Sequence, residues 1–92
     1  MIRSFADSDT ERLFAGLTVR RWSRLSKIAR RKLVQLHAST TLDFLRVPPG
    51  NRLEPLRGDR AGQHSIRVND QFRLCFRWAD GDAFDVEIVD YH

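Results

Sequence analysis

The period of the hydrophobic pattern changes once along this chain, and that change restricts the kind of domain it can build. In the first half, Trp22, Leu25, Ala29, Leu33 and Leu36 recur at helical spacing, with Ile28 widening the stripe. Such spacing buries one face of an amphipathic helix. In the second half, residues 65–68, 72–78 and 84–89 alternate apolar and polar side chains, which is the period of a strand with one face buried. Between the two lies NRLEPLRGDRAG, rich in Gly, Pro and charge, which reads as an ordered loop. Asn69-Asp70 and residues 79–82 supply tight turns between the strands. Helices followed by consecutive antiparallel strands define an α+β class.

The remaining elements are short. Residues 2–5 alternate and read as an opening strand, which brings the antiparallel sheet to about four strands. Ser8 and Glu11 have capping-box spacing ahead of a short helix with Leu13 and Phe14, ending near Gly16. Thr40 or Thr41 can cap another short helix through Leu45, stopped by Pro48-Pro49-Gly50. Two to three helices therefore pack on one face of the sheet. Its apolar face is expected to hold Ile66, Val68, Phe72, Leu74, Phe76, Trp78, Phe84, Val86 and Ile88. Ser65, Arg67, Arg73, Cys75 and Arg77 share the opposite face, which is either a solubilising surface or a seat for a phosphate-bearing ligand. Trp22 and Trp78, both in apolar registers, are read as core rather than as base-stacking platforms.

Ninety-two residues support one domain, 1–92, with a single modest core. Hydrophobic residues make up 41% and charged ones 30%, a globular and not a disordered balance. No apolar run reaches the roughly 18 residues of a membrane span, and MIRSFADSDT lacks a signal-peptide core. The lone Cys75 has no internal partner, so a cytoplasmic location is expected and the thiol is read as an inert, surface or half-buried group.

The net charge of +4 is unevenly laid out. Residues 1–46 hold ten Lys/Arg against four Asp/Glu, whereas residues 47–92 hold six against eight. Seven cations (Arg20, Arg21, Arg24, Lys27, Arg30, Arg31 and Lys32) occur together without one acid. On a helix with one buried face they form a surface ridge that attracts polyanions or acidic proteins. Arg20, Arg24, Lys27 and Arg31 are the residues expected to dock RNA.

Metal and cofactor chemistry find no signature. His37, His64 and His92 are far apart, Cys75 has no spaced partner, and GDRAG is not a phosphate-binding loop. His37 is read as structural or as a helix-end residue, His64 as structural or RNA-facing, and Arg60 as an ion-pair partner of Asp59. Three adjacent proton-handling groups follow the last strand: Asp90, Tyr91 and His92. A ribonuclease that uses no metal needs a base for the 2′-hydroxyl, an acid for the leaving 5′-oxygen and a cation over the phosphorane. Arg73 and the terminal triplet meet that requirement if β-strand and tail converge; the plainer alternative is a frayed chain end. Because Arg73 lies off the apolar face, its loss is expected to leave the thermal midpoint unchanged.

The stretch LEPLRGDRAGQHSIRVNDQFRLCFRW, the ending VEIVDYH and the opening MIRSF together resemble the HigB branch of the RelE/ParE toxin superfamily. The most specific parts are the Leu56-to-Gly62 loop, the Ser65-Ile66-Arg67-Val68 to Arg73 hairpin and the terminal Asp-Tyr-His. The resemblance implies a small RelE-like domain, the toxin of a type II toxin–antitoxin system. It implies a ribosome-dependent endoribonuclease that cuts mRNA in the A site, without a cofactor, and a helix-turn-helix antitoxin of the HigA type as partner. By position, Arg73 would be the transition-state cation, Asp90, Tyr91 and His92 would line the cut site, and Arg57 would lie near the message; Arg67, on the outer face of the hairpin, is also expected to bind RNA. Some relatives carry a histidine where this chain has Glu54. A carboxylate there repels phosphate unless cations offset it, so Glu54 and His92 stand as alternatives for the base, His92 being the better. Two other functions fit the basic surface: a gyrase-binding toxin of the ParE type, which lacks an Asp-Tyr-His ending, and a non-catalytic RNA- or DNA-binding module.

Overall fold

The computed structural model describes residues 1–91; His92, the last member of the terminal triplet, lies outside the described residues. Two α-helices, α1 (Ser8–Phe14) and α2 (Ser26–Ala38), precede a four-stranded sheet. Its strands are β1 (Glu54–Pro55), β2 (Gln63–Arg67), β3 (Phe72–Ala79) and β4 (Asp82–Asp90), in the spatial order β1-β2-β3-β4 with every neighbour antiparallel. Short 3-10 turns at Arg20–Trp22, Leu42–Arg46, Pro49–Asn51 and Gly58–Arg60 fill the connections.

The core lies between the helices and one sheet face. Leu13 of α1 and Leu33 and Leu36 of α2 meet Ile66, Leu74, Phe76 and Val86, all fully buried. Burying a side chain of this size contributes about 1.5–3 kcal/mol relative to leaving it in water. Trp22 and Leu45 are buried in the same core.

Four boundaries differ from the periodic reading, each for a local reason. The opening segment is not a strand: it joins β4 through two isolated parallel bridges, Ile2↔Ala83 and Phe5↔Val86. Between them Asp85 has a positive φ of 53°, and its N–H goes to the Ser4 hydroxyl at 2.8 Å instead of to a strand partner. The fourth strand is β1, inside the presumed loop, where Glu54 and Pro55 pair with Ser65 and His64. Two residues are too few to show any alternation. Asp7, not Ser8, caps α1; its carboxylate accepts from the Thr10 N–H at 3.0 Å and the Thr10 hydroxyl at 2.6 Å. Trp22 and Arg24 precede α2 rather than belonging to it, because the chain forms a separate 3-10 turn at Arg20–Trp22.

The same Asp85 shifts the register of β4. Cys75 faces Glu87, yet Arg77 faces Phe84, so β4 carries one extra residue between these pairs. Beyond the bulge the faces exchange. Ala83, opposite Trp78, enters the core, and Phe84, expected there, shares the outer face with Arg77.

The outer face is not open along its whole length. Ser65 and Cys75 are fully buried on it. Arg60 reaches across to Glu87, which faces Cys75 in the sheet, and bonds it at 2.6 Å. Glu87, not Asp59, is therefore the partner of Arg60. Under this cover burial pushes the Cys75 thiol up to about 11.

Candidate functional site

Arg73 sits near the start of β3, opposite Arg67 of β2 and Val89 of β4. Its side chain is only 12% exposed. Nε donates to the Ser65 hydroxyl at 2.7 Å, and Nη2 donates to the Arg52 carbonyl at 2.6 Å. Ser65 is delivered by the β2 register. The Arg52 carbonyl is delivered by a left-handed backbone, φ 47° and ψ 58°, that turns the chain after the Pro49–Asn51 turn. Two fixed acceptors thus hold the guanidinium plane. Its hydrogen bonds to the described residues run through Nε and Nη2, leaving Nη1 to meet a ligand.

Around it opens a cleft of about 520 Å³ lined by Gly50, Arg52, Glu54, Arg67, Asn69, Asp70, Arg73 and Tyr91. Glu54 Oε1 lies 3.6 Å from Arg73 Nη2, and its side chain is 53% exposed. The Tyr91 ring centroid lies 6.0 Å from the guanidinium carbon. Arg67 pairs with Asp70 across the hairpin turn. The Asn69 carboxamide accepts the N–H groups of Gln71 and Phe72 at 2.9 and 2.8 Å, which sets that turn. Arg52 adds a third cation to the rim. Three arginines against two carboxylates leave the lining with a positive excess, suited to a phosphodiester. A guanidinium, a carboxylate and a phenol stand within one cleft.

The other candidate residues are dispersed. Alternation separates Asp90 from Tyr91: Asp90 faces Phe72, on the helix side, and accepts from Gln71 Nε2 at 3.0 Å. Arg57 is exposed at the start of the Gly58–Arg60 turn and does not line the cleft. Arg20, Arg24, Lys27 and Arg31 are all exposed, but only the last two share α2. Arg20 borders a hollow with Asp9 and Arg12, and Arg24 borders another with Asn69, Gln71 and Phe72. Arg21, near the start of the basic block, is committed to Asp9 at 3.1 Å and Asp7 at 3.6 Å.

Arg52 and Gly50 were not singled out from the sequence. Gly50 reads only as part of the helix stop and Arg52 only as loop charge; the left-handed turn and the pairing of β1 bring them in. Lys32 was counted only as surface charge, yet its ammonium donates to Asn51, a fully buried residue between those two. Burial, then the charges of Arg31 and Arg67, lower the Lys32 pKa. His37 accepts the Ile2 N–H at 3.1 Å and packs on Phe14, so it is structural. His64 faces Phe76 on the helix side and stacks on it, away from the cleft. Among the described residues no three His, Cys, Asp or Glu side chains converge as metal ligands. Nor is any described helix long and apolar enough to cross a membrane.

Residues 3–92 match the HigB-like toxin family, described as RelE-like toxin of type II toxin-antitoxin system HigB. Toxin HigB-1 of Vibrio cholerae serotype O1 is 53% identical over 55 residues, 60% of this chain and 58% of that protein. Endoribonuclease HigB of Proteus vulgaris is 44% identical over 41 residues, 45% of each chain. The chain thus covers roughly half of the length of these relatives. YafQ of E. coli, as a variant, superposes with a TM-score of 0.62 at 16% identity, over 98% of this chain and 93% of that one. YafQ from strain BL21(DE3) gives the same TM-score at 13% identity. At such identity the likeness is one of fold.

Proposed function

Because the chain belongs to the HigB-like family of RelE-like toxins of type II toxin–antitoxin systems, we propose that it is a ribosome-dependent endoribonuclease that cuts mRNA in the ribosomal A site. The observation that carries this reading is the Arg73 guanidinium, fixed by Ser65 and Arg52 and facing a cleft that also holds Glu54 and Tyr91. A fixed cation aimed at the site of growing charge is the largest single contribution to phosphoryl chemistry.

In the reaction proposed, the scissile phosphate displaces Glu54 from its contact with Arg73 and takes Nη1 and Nη2. Arg52 and Arg67 hold the flanking phosphates. The 2′-hydroxyl attacks the adjacent phosphorus, giving up its proton to Glu54 or His92, and the P–O5′ bond breaks as the other of the two, in its protonated form, gives its proton to the 5′-oxygen. The products are a 2′,3′-cyclic phosphate and a 5′-hydroxyl. Tyr91 orients the phosphate or the base beside it, and Asp90 secures the tail through Gln71. The exposed Arg20, Arg24, Lys27, Arg31 and Arg57 contact ribosomal RNA or the message. No metal or cofactor takes part in this scheme.

A type II system supplies an antitoxin partner; we assign it to the HigA type, with helix-turn-helix architecture, and place the toxin in the cytoplasm, where ribosomes are. End analysis of the cut message tests the chemistry. Fragments with cyclic phosphate and 5′-hydroxyl ends are expected; 5′-phosphate ends would mean attack by water and a different site.

A further inference from the structure

The outer surface of α2 is divided along its length. Lys27 and Arg31, one turn apart, are exposed at its beginning. Val34 and Ala38 continue that exposed stripe to its end, at the i+3 and i+7 positions from Arg31. There the helix meets the Leu42–Arg46 turn and the residue after it. Gln35, Ala38, Ser39, Phe44 and Val47 line a groove of about 460 Å³ with no charged side chain in its lining. Val34, Phe44 and Val47 are 55%, 63% and 67% exposed, half of the six large apolar side chains exposed among the described residues.

The groove has a fixed wall. Gln35 Nε2 donates to the Val47 carbonyl at 2.6 Å, and Gln35 Oε1 accepts from Asn51 Nδ2 at 3.2 Å. A preformed apolar concavity on so small a domain is a place that a partner covers. Phosphate finds no cation in it, so nucleic acid is a poor occupant. Beyond the groove, the electrostatics select the partner further. From Arg12 to Leu42 the chain has no acidic residue, so α2 itself offers a segment leaving the groove the exposed cations Lys27 and Arg31 and no carboxylate, while Asp43 beside Phe44 is paired with Arg46.

We propose that this groove docks a segment of the antitoxin that seats one or two large apolar side chains against Phe44 and Val47 and lays acidic residues over Lys27 and Arg31. The identity of the partner rests on the toxin reading above; the shape and charge of the segment rest on the surface itself. The groove shares no lining residue with the Arg73 cleft. The antitoxin therefore neutralises by covering cations that would otherwise meet ribosomal RNA, and the two bind in competition.

The test uses the full chain and the antitoxin encoded with it. Phe44→Glu combined with Val47→Glu alters only exposed side chains, and purified variants are checked for fold by circular dichroism. Calorimetry with the antitoxin should show the double variant bound at least about thirtyfold more weakly, the scale of losing one interface hot spot. Lys27→Glu with Arg31→Glu should weaken binding as well and flatten its salt dependence. In cells, the Phe44/Val47 variant should still arrest growth and no longer be rescued by the antitoxin. Binding of both variants within threefold of wild type overturns the proposal, as does full rescue of the Phe44/Val47 variant. If the unaltered chain never arrests growth, the toxin reading fails, and calorimetry still decides the docking surface.

Discussion

Replacing Arg73 with alanine removes the one cleft arginine held by two fixed acceptors and also a tie between three segments of the chain. The guanidinium is 12% exposed and bonds the Ser65 hydroxyl at 2.7 Å and the Arg52 carbonyl at 2.6 Å. Hydrogen bonds from a charged group contribute about 1.5–3 kcal/mol each, and the Ser65 hydroxyl left behind is buried without its partner. Allowing for water reaching the cleft side, a loss of about 2–3 kcal/mol is expected. For a domain of this size that lowers the thermal midpoint by roughly 10–20 °C, contrary to the unchanged midpoint that an open sheet face would give. Catalysis should fall by at least about a hundredfold, the usual cost of removing one charge-stabilising group. The two effects are separated by assaying cleavage of ribosome-bound message well below the variant's own midpoint. Ser65→Ala serves as a control: it removes the Nε acceptor, a charge-assisted bond worth about 1.5–3 kcal/mol, while the guanidinium stays, so cleavage should remain within about tenfold of wild type. An Arg73→Ala protein that is folded at the assay temperature and cuts within threefold of wild type would refute the assignment of the cleft.

Three further outcomes follow from the geometry. Deletion of His92, the better of the two candidates for the base, should cut cleavage by about a hundredfold; Glu54→Gln keeps the shape beside Arg73 and should lower kcat on the same scale without a rise in KM if Glu54 takes the proton instead, and full activity in either variant removes that residue from proton transfer. Charge reversal at Arg24 and Arg31, both exposed, should abolish co-sedimentation with ribosomes at moderate salt while the melting curve is unchanged; pelleting that persists would leave the ridge with another role. Cys75 is fully buried and burial raises its thiol pKa to about 11, so the native protein should resist alkylation at pH 8 and react fully in denaturant, and because the folded pKa is the higher one, the stability tied to this thiol is present below the unfolded value and declines as pH rises past it.

How far the sequence reveals the fold depends on the length over which each signal runs. The helical stripe from Leu25 to Leu36 and the alternation in β2 and β3 are long enough to fix element type and the buried face. Phe84 escapes the pattern because one residue, Asp85, takes a left-handed backbone and reverses the faces beyond it. β1 is invisible because a two-residue strand has no period, and its partner β2 alone defines it. At the site, Arg73 and Tyr91 are readable from register and chain order, and Glu54 only through resemblance. Arg52 is not readable, since a backbone carbonyl enters through a turn whose φ of 47° no composition announces. The split of the terminal triplet follows from strand alternation, which sends Asp90 to the side of Phe72.

The central claim is that the chain cuts mRNA only on the ribosome and does so through the Arg73 cleft. Primer extension on one message, incubated with the purified protein with and without ribosomes, measures this directly. The account predicts discrete stops within codons when ribosomes are present, no stops without them, and loss of the stops with Arg73→Ala. Equal cleavage of naked RNA would contradict the ribosome dependence, and no cleavage under either condition would contradict the nuclease reading itself.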